Sequence, residues 1–119
     1  MRRALATLTV LLCATPLAAC GGSESTTGDA KDPQVVEVTF TGDSVTPNGE
    51  RIEVATGQDV ELKVTADAPG EIHVHSDPEQ ELEYDQGEST VTIDGIDTPG
   101  TVDVESHSLE KVIVQLEVR

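Results

Sequence analysis

The chain has 119 residues, 23 of them acidic and 7 basic, for a formal net charge of −16 and an isoelectric point near 4.2. A surface so acidic repels nucleic acid and anionic lipid headgroups, which excludes both as partners held by charge. One phenylalanine, one tyrosine and no tryptophan leave valine and isoleucine to build the interior, and the length supports a single core.

The first segment, "MRRALATLTVLLCATPLAAC", sets Arg2 and Arg3 ahead of a short apolar run and small residues before a cysteine, the layout of an export signal. The run is too short to span a bilayer in the usual way. Its end, Leu17-Ala18-Ala19-Cys20, resembles the lipobox of bacterial lipoproteins. That resemblance implies cleavage after Ala19, acyl chains on the Cys20 thiol, and a place on the extracytoplasmic face of the cell membrane with the bilayer as partner. Removing residues 1–19 also removes Cys13, Arg2 and Arg3, so the formal charge falls from −16 to −18 and one acylated cysteine remains. No disulfide can then form within the mature chain. Residues 20–34 are the lipidated cysteine and a tether, "GGSESTTGDAKDPQ", whose small and polar composition gives a flexible reach of roughly 20 Å.

From residue 35 to 119 the apolar residues recur at every second position, the period at which side chains alternate between the two faces of a strand. Seven segments follow it: Val35 to Thr41, Arg51 to Ala55, Val60 to Ala66, Glu71 to Ser76, Ser89 to Ile96, Thr101 to His107, and Lys111 to Arg119. "TPNGE", "TGQD", "DAPG", "DPEQ" and "DTPG" punctuate them as turns. No stretch sustains a helical stripe, and the nearest, "DPEQELEYDQG", is acidic with only Leu82 and Tyr84 to bury. Short strands at this spacing predict an all-β fold, one antiparallel β-sandwich domain of about seven strands with each sheet solvated on its outer face.

The segment "TPNGERIEVATGQDVELKVTADAPGEIHVH", followed by "PGTVDVESH" and a closing strand, resembles the cupredoxin-like, plastocyanin-like domains of bacterial periplasmic and surface proteins. The resemblance runs from about Val35 to Arg119 and implies a Greek-key sandwich, which in many members carries type 1 copper. Such a site needs a thiolate and two imidazoles, usually with a weak axial thioether. Here Ser106 stands at the cysteine's place, His107 follows at once, and no methionine comes after it. The resemblance therefore carries over one ligand, His73, and implies no type 1 electron-transfer site.

The remaining histidine chemistry lies in "GEIHVHSD". His73 and His75 share one strand face about 6 to 7 Å apart, a separation that two imidazoles can close around one ion. In a cupredoxin-like fold the loop after "ESH" returns to the same end of the sandwich and brings His107 near. His73, His75 and His107, joined by Asp77 or Glu105, would suit Cu(II) or Zn(II). The competing reading is a metal-free sandwich serving as an accessory module for a protein partner on the cell surface. There the imidazoles are hydrogen-bonded to nearby carboxylates and gain charge on acidification. The acidic "DPEQELEYDQGE" lacks the glycine and ligand spacing of a helix-loop-helix calcium site. Ser106 and His107 point to opposite faces of a strand and cannot work as nucleophile and base. The chain is thus expected not to be an enzyme.

Overall fold

The computed structural model describes residues 31–119. The expected signal segment, the expected lipidation at Cys20 and the expected tether up to residue 30 lie outside the described residues. Nine strands run through the rest: β1 (Gln34–Thr41), β2 (Ser44–Thr46), β3 (Glu50–Val54), β4 (Val60–Ala66), β5 (Gly70–Val74), β6 (Gln80–Tyr84), β7 (Gly87–Ile93), β8 (Gly100–Ser106) and β9 (Lys111–Val118). They form a four-stranded sheet, β2-β1-β4-β7, and a five-stranded sheet, β3-β9-β8-β5-β6.

Each predicted segment is a strand, and two more were not anticipated. β2 holds three residues and buries one side chain, Val45, too little to show a period. β6 is the acidic "QELEY", in which Tyr84 turns inward and stacks on Phe40, with ring centroids 4.7 Å apart and planes 9° from parallel. The sheets are also mixed, not purely antiparallel. β1 pairs with β4 in parallel, and so does β3 with β9, because in each case the chain changes sheet before it returns.

Alternation sets the core. Val36, Val38 and Phe40 of β1 and Val60, Leu62 and Val64 of β4 face Ile72 and Val74 of β5, Val102 and Val104 of β8, and Val114 and Leu116 of β9. A buried aliphatic side chain contributes about 1.5–3 kcal/mol, so branched aliphatics at this density can hold the sandwich with one stacked aromatic pair. Opposite faces stay wet: Glu37, Thr39, Lys63 and Thr65 are exposed on the smaller sheet.

The two poles of the sandwich differ. At one, the incoming chain and the C-terminus meet on the β3–β4 turn. Gln58 Nε2 donates to the Asp32 carbonyl (2.8 Å), Lys31 Nζ to that of Thr56 (3.3 Å), and Thr56 N to that of Arg119 (2.9 Å). At the other lie the β1–β2, β4–β5, β6–β7 and β8–β9 connections, tied in part by Gly42 N donating to Asp67 Oδ2 (2.6 Å). The length of β8 separates the poles by about 20 Å, at about 3.3 Å per residue.

Candidate metal centre

β5 lies between β8 and β6, and its period of two decides what it shows to solvent. Ile72 and Val74 are fully buried, so Glu71 and His73 point outward, with His75 just beyond the strand's end. His73 has Glu81 of β6 on one side and Glu105 of β8 on the other. Ile72 is paired with Ser106, which sets His107 beside Glu71, and His107 N donates to the Glu71 carbonyl (3.2 Å). Next to Glu105 the β8–β9 register slips by one residue, a bulge that leaves both Ile113 and Val114 buried.

Three donors converge here. Glu71, His73 and His107 each offer a ligating atom, all within 4.8 Å of one another. The His107 ring stacks on His73 with centroids 4.6 Å apart and planes 19° from parallel. His73 Nε2 donates to Glu71 Oε1 at 2.5 Å, and Glu81 Oε1 lies 3.7 Å from the same nitrogen. Across the ring, Nδ1 faces Glu79 Oε1 at 3.5 Å.

Bound carboxylates favour the imidazolium. The hydrogen bond to Glu71 raises the pKa of His73 above 6.5, partial burial works against it, and the charges of Glu71, Glu81 and Glu79 add to the rise. Because the folded value is raised, the stabilisation from this pair is fully present below pH 6.5 and is lost as pH climbs through the raised value.

Metal coordination asks for a different arrangement of the same groups. Nitrogen donors bind Zn(II) at about 2.0–2.1 Å, with lone pairs in the plane of each ring aimed at one point. Stacked rings aim them along nearly parallel planes, so one ring must swing. His107 is exposed on the β8–β9 turn and free to do so, whereas His73 is half-buried between two strands. With the His73 proton lost and His107 rotated, the cluster would offer two nitrogens and one oxygen to an ion.

The sequence-predicted residues separate into distinct places. His73 and His107 come together. His75 does not join them: its ring is 6.5 Å from that of His73 and tilted 57°, and it has its own partners in Glu105 (3.0 Å) and Glu79 (3.7 Å). Glu105 therefore serves His75. Asp77 lines a cleft near the tether pole with Asp94 and Asp97. Cys20 lies outside the described residues. Glu71, which joins the donor set, stands two positions before His73 on the same strand face, a period-two signal already present in "GEIHVHSD".

Ser106 departs from what the resemblance implied for its neighbour His73. It is fully buried, pointing into the core, while His73 points out through the other face of the same sheet. Even a thiolate at position 106 could not share an ion with His73. The Tyr84 phenol packs at this end of the core instead. Burial, with the charge of Asp67, raises its pKa, and a hydrogen bond with the Ser106 side chain works the other way. Gly70 makes room for it, since a Cβ there would run into the Tyr84 hydroxyl.

No family model matches the chain, and no curated protein matches it. Solved structures do. The Cu(I) form of an amicyanin mutant superposes with a TM-score of 0.52 at 15% identity, covering 76% of this chain and 85% of that one. The reduced form of a second amicyanin mutant gives 0.52 at 11% identity, covering 76% and 87%. Reduced auracyanin from Roseiflexus castenholzii gives 0.49 at 12% identity, covering 75% and 99%. The element order, the two packed sheets and this likeness together make the fold a cupredoxin-like β-sandwich.

Proposed function

We propose that this is a lipid-anchored extracytoplasmic protein whose cupredoxin-like domain binds one Cu(II) or Zn(II) ion on the outer face of its five-stranded sheet. The observation that carries the metal reading is the convergence of Glu71, His73 and His107 within 4.8 Å. Two imidazoles and a carboxylate suit these borderline ions and leave coordination positions for water or an incoming group. The amicyanin form it resembles holds Cu(I), but with no thiolate at the cluster among the described residues the ion here is bound and exchanged, not used for type 1 electron transfer.

Calorimetric titration of the full chain in detergent with Cu(II) or Zn(II) tests it. The account expects one ion per chain, bound more tightly as pH rises, because His73 must give up the proton that its carboxylates hold. Absence of binding heat at any pH overturns the metal reading.

A second reading has its own observation. Both nitrogens of His73 already face carboxylates and its ring is stacked, so as an imidazolium it is satisfied with no metal. The domain is then a metal-free accessory module, and the same titration is silent.

The anchor rests on the signal and lipobox resemblance. A Cys20→Ser chain is expected to lose fatty-acid labelling and to leave the membrane fraction. A variant that stays labelled and membrane-bound contradicts the assignment.

A further inference from the structure

An open cleft of about 490 Å³ lies directly beside the donor set, at the pole opposite the point where the chain enters the sandwich. Two of the proposed ligands, Glu71 and His107, are also part of its wall, so a group seated in the cleft reaches the free coordination positions of an ion held by them. The rest of the lining sets the chemistry of that group. Glu83 and Asp85 add two carboxylates to that of Glu71, Ser108 adds a hydroxyl group, and among the described residues no lysine or arginine lines the cleft.

An anionic chelator entering there meets like charge on each side and is disfavoured. A neutral imidazole carried among cationic side chains meets an unsaturated ion for the one and carboxylates for the others. Glu83 is the cross-strand partner of Glu71, so the repulsion between them is itself relieved when a cation sits over the pair. The described chain enters at the far pole, about 20 Å away, so the entering segment does not cover the cleft.

We propose that the cleft docks a basic, histidine-bearing peptide segment of a partner protein, which completes the coordination of the ion and so forms the ternary complex through which the ion is passed on. The proposal rests on the metal reading above.

Its test uses the full chain loaded with Cu(II) in detergent and three pentapeptides, acetylated and amidated so that only side chains coordinate. One has a histidine among lysines, one a histidine among glutamates, and one an alanine among lysines. The first is expected to bind the loaded chain at least about tenfold more tightly than either of the others, with an added nitrogen seen by electron paramagnetic resonance. The Glu83→Gln, Asp85→Asn double variant is expected to lose about tenfold of that affinity while holding Cu(II) as the parent does. Equal binding of the lysine and glutamate peptides, binding that does not need the ion, or indifference to the double substitution each overturns the proposal and leaves the metal site standing. A chain that takes no Cu(II) overturns both.

Discussion

Replacing His73 by alanine is expected to weaken Cu(II) or Zn(II) binding by at least about a hundredfold in the calorimetric titration. Loss of a group that merely orients a ligand already costs about 10–100-fold in metal affinity, and His73 is the ligand held most firmly by the sheet. It sits between β6 and β8, opposite Glu81 and Glu105, and its ring both bonds the Glu71 carboxylate and stacks on His107. His107→Ala is expected to act in the same direction. His75→Ala is the control, because that ring stands 6.5 Å from His73 and pairs with Glu105, so its removal should leave the affinity within about threefold. A His75→Ala loss as large as that of His73→Ala would mean that the ion sits between those two rings and not on Glu71.

The second large effect concerns the opposite pole and the fold itself. Gly95 lies in the β7–β8 connection against Gly57 of the β3–β4 turn, and a Cβ at residue 95 would stand 2.5 Å from the carbonyl carbon and oxygen of Gly57. Neither atom can rotate away, since both are backbone. The two turns are also bonded to each other, Gly57 N donating to the Ile96 carbonyl (3.0 Å) and Gly95 N to Asp59 Oδ1 (2.8 Å). Gly95→Ala therefore has to part the turns and break these bonds. Overpacking typically costs about 1–3 kcal/mol, and with rigid backbone on the receiving side the loss here is expected at about 3 kcal/mol or more. Against a total of roughly 4–13 kcal/mol for a domain of this size, that is a large share. Denaturant unfolding should show a lower midpoint with an unchanged slope. A shift worth less than about 1 kcal/mol would mean that the turns are not packed as described.

How far the sequence discloses this molecule depends on what kind of signal each part leaves. Val36-x-Val38-x-Phe40 or Val60-x-Leu62-x-Val64 spells out a half-buried strand, because one face must be apolar along its whole length. β2 leaves no such trace, since its single inward residue, Val45, has no neighbour at the same phase. β6 disguises itself with Glu81 and Glu83, which its solvent face needs on an edge strand. Strand direction is invisible for a different reason. Whether β1 lies beside β4 in parallel is decided by where the chain crosses between sheets, and alternation within a strand is the same either way.

At the site, the sequence pointed to the strand but not to the grouping of its residues. His73 and His75 share a face and both approach Glu79, yet their nearest carboxylates differ, Glu71 of the same strand for one and Glu105 of β8 for the other. Cross-strand register brings Glu105 there. The meeting of His73 with His107 also depends on register, through the pairing of Ile72 with Ser106, and it was anticipated only because the cupredoxin resemblance implied it. The same resemblance put Ser106 and His73 at one site, and the sheet separates them: Ser106 faces the core and His73 faces solvent.

If Glu71, His73 and His107 hold one ion, pulsed electron paramagnetic resonance on the Cu(II)-loaded chain counts its imidazoles directly. Two coordinated imidazoles are expected in the parent chain, one in His107→Ala and still two in His75→Ala. A count that falls in His75→Ala, or that stays at two in His107→Ala, would contradict that ligand set.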